Sequence, residues 1–132
     1  MQPPIIVSSL DLERLERLLE ATPATPTTAA LQAELDRAEV RAPQDMPPDV
    51  VTMNATVRFT VEPGGEPMER TLVYPRDVAA DAGALSVLAP VGSALLGLRV
   101  GQRISWPAPS GAVTVRIEAV IYQPEREGAF HR

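Results

Sequence analysis

From Val51 to Val61 every odd position is apolar (Val51, Met53, Ala55, Val57, Phe59, Val61), and Thr52, Asn54, Thr56, Arg58 and Thr60 lie between them. Side chains alternate faces along a strand, so this run predicts a strand with one buried face. A second run, Val113, Val115, Ile117, Ala119 and Ile121, repeats the pattern near the other end of the chain. Two such strands need partners, and the intervening sequence supplies them. Glu62-Pro63-Gly64-Gly65-Glu66-Pro67 predicts a turn and Met68 to Tyr74 a returning strand that stops at Pro75. Arg76 to Gly83 is a polar connection with room for one helical turn, followed by an apolar strand from Ala84 to Leu88. Gln102 to Trp106 predicts a further strand, closed by the turn residues Pro107-Ala108-Pro109-Ser110-Gly111. Four to five antiparallel strands wrapped on one short helix make an α+β domain.

That helix falls in Leu88-Ala89-Pro90-Val91-Gly92-Ser93-Ala94-Leu95-Leu96-Gly97-Leu98-Arg99-Val100-Gly101. Pro90 suits a helix start, where its missing N–H would be unpaired anyway. Gly97 and Gly101 suit the positive φ of a helix end and a tight turn. The expected core comprises Val57, Phe59, Leu72, Leu95, Leu96, Ile104, Val115 and Ile117.

The first third is different. After an extended lead through Pro3-Pro4 and Ile5-Ile6-Val7, Ser8-Ser9-Leu10-Asp11 resembles a capping box. Leu12, Leu15, Leu18 and Leu19 then form one helical stripe between Leu10 and Ala21. Pro23 and Pro26 break the helix, and a second is predicted from Thr27 to Arg41 on Leu31, Leu35 and Ala38. Two amphipathic helices joined by a short turn are expected to fold back as an antiparallel hairpin. Pro43-Gln44-Asp45-Met46-Pro47-Pro48 is read as a semi-rigid linker, dividing the chain into residues 1–46 and 47–132. The second part, with at least four patterned strands, is expected to fold without the first, whereas the hairpin alone is not expected to be stable, because helices this short are marginal by themselves. The tail from Tyr122 onward is charged and expected to be loose.

At 132 residues, 45% hydrophobic and 22% charged, the chain is expected to be an ordinary soluble one. With no apolar run long enough to span a bilayer and no leader, the expected location is cytoplasmic. Cysteine is absent, which removes disulfides, thiolate metal sites and a cysteine nucleophile. Residues 1–49 carry nine acids against four arginines, while residues 50–132 are neutral. Such a balance disfavours binding to DNA or RNA backbones and suits docking on a basic protein surface. His131, the one histidine, is a tail residue with nothing to work with. Ser86 and Ser93 lack the context of a serine nucleophile, Asp45 and Asp49 are read as solvated linker acids, and no metal-ligand spacing is present. No catalytic, cofactor-binding or metal-binding residue is expected.

Leu31-Gln32-Ala33-Glu34-Leu35-Asp36-Arg37-Ala38, Asp49-Val50-Val51-Thr52-Met53-Asn54, Thr71-Leu72-Val73-Tyr74-Pro75, Leu85 to Gly92, Ala94 to Gly101 and Tyr122-Gln123-Pro124-Glu125 occur in that order. Together they resemble the regulators of nucleoside diphosphate kinase, small bacterial relatives of the Gre-type transcript-cleavage factors. The resemblance covers nearly the whole chain. It implies a short amino-terminal coiled coil and an FKBP-like carboxy-terminal domain that docks on RNA polymerase beside the secondary channel. In Gre factors the segment aligned with Leu88 to Gly92 carries an Asp-Ser-Pro contact to the polymerase. Here Pro90 matches it, so the implied contact is Pro90 with Leu88, Ala89, Val91 and Gly92.

Gre factors also carry two acidic residues on the tip of a long coiled coil, where they help hold the polymerase's catalytic Mg²⁺. Here the tip is Thr22-Pro23-Ala24-Thr25-Pro26-Thr27, with no acid between Glu20 and Glu34. A first helix of about 12 residues also spans only ~18 Å. The expectation is therefore a non-enzymatic monomer that binds polymerase, competes with Gre-type factors and affects nucleoside diphosphate kinase levels. An FKBP-like prolyl isomerase and an adaptor that binds the kinase directly are the alternatives.

Overall fold

The computed structural model describes residues 4–62, 65–80, 82–108 and 111–128. His131 and the turn centres at Pro63-Gly64 and Pro109-Ser110 lie outside them.

The chain opens with a short strand, β1 (Ile6–Ser8), that runs directly into helix α1 (Ser9–Glu20). Ser8 caps α1: its Oγ accepts the Asp11 N–H at 3.0 Å, satisfying one of the free donors at the helix start. Helix α2 (Pro26–Arg37) begins with a full capping box between Thr25 and Thr28 and with Pro26 in its first turn. α2 ends four residues earlier than its periodicity predicts. Ala38 is extended, and Glu39–Arg41 form strand β2, paired in parallel with β1. The Glu39 N–H donates to Ile5 O at 3.0 Å, so the backbone donors just past the helix are taken up by the pairing.

Residues 43–48 contain a 3₁₀ turn at Pro43–Asp45, and Met46 packs against Ile6 and Val50. The first alternating run starts later as a strand than expected. Asn54 takes φ 66°, which interrupts extended backbone, and strand β3 covers Thr56–Glu62. Even so, Val51, Met53, Ala55, Val57 and Phe59 are all buried.

β4 (Met68–Val73) pairs antiparallel with β3, and a 3₁₀ segment (Pro75–Ala80) leads to β5 (Ala84–Ser86). β5 pairs with β4 in parallel, which corrects the expectation of an all-antiparallel sheet. A parallel neighbour cannot follow from a tight hairpin turn, so β5 is reached by a longer connection than a hairpin's. After helix α3 (Pro90–Leu95), β6 (Arg103–Ala108) and β7 (Gly111–Tyr122) form the far side. The sheet order is β5-β4-β3-β7-β6, so the two alternating strands β3 and β7 are central neighbours. Among the described residues the architecture is thus α+β, with three α-helices and a mixed five-stranded sheet.

All eight residues expected in the core are buried. The core also takes in Ile5, Val7, Leu15, Leu31 and Leu35 from the first 46 residues, in one continuous cluster with the sheet residues. Gly97 is at the contact. Its φ is +80°, and a Cβ there would lie 2.7 Å from Ile5 Cβ, so only glycine lets the two segments meet. Across this seam Ile6 N–H donates to Gly97 O at 3.2 Å, while Gly97 N–H is taken by Val51 O at 2.9 Å on its own side.

The start of the tail is not loose. Gln123 is fully buried, and its Nε2 donates to both Pro47 O and Val50 O at 2.8 Å. Glu125 accepts from Thr52 Oγ1 at 2.8 Å, and Arg126 donates to Ile121 O at 2.7 Å. A charged composition signals exposure, yet here the polar side chains fasten backbone carbonyls instead.

Candidate functional site

The segment from Ser86 to Ser93 is held by its own hydroxyls. Ser86 Oγ accepts the Leu88 N–H at 3.1 Å, and Ser93 Oγ donates to Val87 O at 2.5 Å. The Ala89 N–H donates to Ser86 O at 3.0 Å, and Ser93 N–H to Ala89 O at 2.8 Å. Pro90 then opens α3 from an extended Ala89. Leu88, Ala89, Pro90 and Val91 are half-buried and uncharged, so they form a small apolar knuckle of fixed shape. Gly92 is buried beneath it, and a Cβ there would fall 2.0 Å from Ser86 O. Its place is therefore steric: it lets α3 lie against the end of β5. Ser86 and Ser93 were legible only as poor nucleophiles; their structural use is to fasten this knuckle.

Behind α3, Ala94, Leu95 and Leu96 are buried. The Val51 N–H donates to Leu98 O at 2.9 Å, and an Arg99–Asp49 ion pair of 3.2 Å closes the end of that pairing. Asp49 is thus a partner for Arg99, beyond the solvated linker acid expected of it.

At the opposite end of the hairpin, the loop between α1 and α2 carries hydroxyls and prolines. Thr22 Oγ1 donates to Leu18 O at 2.6 Å, and Thr25 is occupied as the α2 cap. No carboxylate lies between Glu20 and Glu34. Among the described residues no group of three or more His, Cys, Asp or Glu side chains is placed to hold a metal ion. None of the described helices is long and apolar enough to cross a membrane.

Two side chains with altered titration were not singled out by the sequence. Asp11 is buried under the hairpin, where its Oδ2 accepts the Met53 N–H at 3.1 Å. Burial pushes its carboxyl up to about 7; the nearby Glu125 charge adds to the rise, while the Met53 N–H, Arg14 and Ser8 oppose it. Tyr74 is raised above its ordinary value, first by burial and then by the Asp11 charge. Asp11 thus serves in a helix start and in the seam at once, and only its first role has a sequence signature.

Comparison with known proteins agrees with this architecture. The family model for the carboxy-terminal domain of the transcription elongation factors GreA/GreB matches residues 46–122, and the Rnk N-terminus model matches residues 3–40. The chain belongs to this Gre-factor-like family. Along its length it is 48% identical to the regulator of nucleoside diphosphate kinase of Escherichia coli K12, covering 98% of this chain and 97% of that protein. It is 34% identical over 89 residues to the transcription elongation factor GreA of Caldanaerobacter subterraneus, covering 67% of this chain and 57% of that one. A solved structure from Nitrosomonas europaea, described as a prokaryotic transcription elongation factor GreA/GreB, superposes with a TM-score of 0.72 at 56% identity. It covers 92% of this chain, and all of that chain is matched. These relatives are regulators and elongation factors.

Proposed function

We propose that this protein is a non-enzymatic regulator that binds RNA polymerase beside its secondary channel, excludes Gre-type factors there, and so affects nucleoside diphosphate kinase levels. The full-length similarity to regulators of nucleoside diphosphate kinase supports this reading. The observation that carries it is a pairing within one molecule: a Gre-type sheet domain with a rigid apolar knuckle, and a hairpin tip without carboxylates. Occupying a docking site needs only the first. Transcript cleavage would need metal-binding oxygens delivered at depth.

In this reading residues 47–132 are the docking domain, FKBP-like in form, and residues 1–46 are a short coiled coil. Pro90 and Val91 make the contact, flanked by Leu88 and Ala89, with Gly92 shaping the turn below. The protein acts as a cytoplasmic monomer and makes no specific contact with nucleic acid. Its α1 helix of 12 residues spans only about 18 Å, too little for a probe of the channel.

The test is a competition assay on core polymerase with a Gre factor, run beside cleavage of a backtracked complex. Displacement of the Gre factor without stimulated cleavage is expected. Pro90→Asp or Val91→Asp should weaken displacement by placing a charge in an apolar contact. Thr25→Asp combined with Thr27→Glu should leave displacement intact and still give no cleavage. Strong cleavage by the unaltered protein, or no competition at saturation, refutes the proposal.

A further inference from the structure

A cavity of about 550 Å³ opens between α1 and the turn after β4, lined by Arg14, Arg17, Leu18, Tyr74, Pro75 and Arg76. Its volume lies in the range of small-molecule pockets, which run from roughly 300 to 1,000 Å³. Three of its described lining residues are arginines, in a protein whose net charge is −5. Arg14 faces the Tyr74 phenol from one side, and the Arg76 guanidinium carbon stands 5.9 Å from the centre of the Tyr74 ring. Leu18, Pro75 and the tyrosine ring supply an apolar wall between the charges.

The carboxylates beside Arg17 and Arg76 are weak competitors for a ligand. Arg17 pairs with Glu13 across one helical turn, with side chains 74% and 60% exposed. Arg76 reaches Asp77 only at 3.8 Å, with its own side chain 80% exposed. Solvated pairs of this kind contribute little and exchange readily for a better anion. A phosphate monoester is such an anion. It carries nearly two charges at neutral pH and accepts paired hydrogen bonds from guanidinium forks.

The surroundings limit what carries that phosphate. Glu13, Arg17 and Glu20 fall at i, i+4 and i+7 on α1, so an acid flanks Arg17 on either side along the helix. A polyanion needs a continuing track of cations, and these acids interrupt it. A small ligand with one phosphate and an apolar or aromatic body meets no such obstacle.

We propose that the cavity walled by Arg14, Arg17, Arg76 and Tyr74 is a binding site for a small phosphate monoester of mononucleotide size. The phosphate lies between the Arg17 and Arg76 guanidiniums, Arg14 stays engaged with Asp11 and Tyr74 and adds only its field, and the body of the ligand rests against Leu18, Pro75 and Tyr74. This site is separate from the Leu88–Val91 knuckle, and its test does not involve polymerase.

The experiment is a titration of the full-length, ¹⁵N-labelled protein followed by amide and arginine Nε–H resonances. The probes are AMP, adenosine, inorganic phosphate and a decauridylate without terminal phosphates. AMP is expected to shift Arg17, Leu18 and Arg76 saturably, with a Kd of about 1 mM or tighter at low salt. Inorganic phosphate should shift the same arginines more weakly, and adenosine should leave them unmoved. The double variant Arg17→Gln/Arg76→Gln should weaken AMP binding by about tenfold or more. Both side chains are exposed, so its thermal midpoint should stay near that of the parent, which keeps the result interpretable. Four results would each overturn the proposal: no saturable shift with AMP, an unchanged Kd in the double variant, equal binding of adenosine, or tighter binding of the decauridylate than of AMP.

Discussion

Replacing Asp11 by asparagine isolates the electrostatic cost of the seam between hairpin and sheet. The carboxyl is buried, and its titration moves from 3.8 to about 7. Because the folded value is the higher one, the native state binds the proton more tightly than the unfolded chain does. The stabilisation this gives is fully present below the unfolded value and is lost as pH rises toward 7. A shift of about 3 pH units, at ~1.36 kcal/mol each, amounts to roughly 4 kcal/mol in all. Between pH 5.5 and pH 8.5 the remaining portion is about 1.5 units, or ~2 kcal/mol. An asparagine at this position would keep an oxygen to accept the Met53 N–H and would carry no charge to desolvate. Urea unfolding of parent and Asp11→Asn across that window, read as the difference between them, cancels the other acids. The variant should gain on the parent by about 2 kcal/mol as pH rises from 5.5 to 8.5, with most of the change complete once the carboxyl is ionised in both states. A flat difference would refute the reasoning. So would a parent that gains on the variant, since the Met53 N–H and Arg14 would then outweigh burial.

Further expectations concern packing and fastening. Leu95→Ala or Leu96→Ala removes a buried side chain from the core and should cost about 2–5 kcal/mol by chemical denaturation. Gln123→Ala leaves Pro47 O and Val50 O without the donor they share and should cost ~2–3 kcal/mol by the same measurement. Gly97→Ala combines a positive φ with a collision at Ile5, and its thermal midpoint should fall well below that of Gly101→Ala, whose Cβ would meet nothing within 4 Å. Residues 47–132 prepared alone should melt cooperatively by circular dichroism but below the whole chain, since Ile5, Val7, Leu15, Leu31 and Leu35 no longer cover the sheet core.

What could be read from the residues alone divides along a physical line. Features with a local cause were legible. Pro90 at the start of α3, Gly97 and Gly101 in positive φ, the Ser8 cap and the two alternating strands each follow from a few neighbouring residues. Features arising from encounters across the chain were not. β1, β2 and β5 have three residues each, too few for a period to show, and their parallel pairing is decided by where the preceding segment delivers them. Arg14 and Arg17 meet Arg76 across the cavity from far away in the sequence, and all three are ordinary in composition. The knuckle at Leu88 to Val91 was found through resemblance; its hydroxyl fastening by Ser86 and Ser93 has no sequence signature of its own.

The buried amide of Gln123 also sets an order of events during synthesis. β7, which lies between β3 and β6, and the residue that fastens Pro47 and Val50 leave the ribosome after the six strands that precede them. Until then the sheet lacks the strand that joins β3 to β6, and the apolar faces of α1 and α2 have no completed surface to cover. The nascent hairpin therefore waits in the open until β7 has emerged, and the core closes in one step after it. A slow or stalled ribosome would prolong the interval in which Leu15, Leu31 and Leu35 are offered to chaperones. Supply of this protein would then depend on how fast β7 is made as well as on how often its message is read.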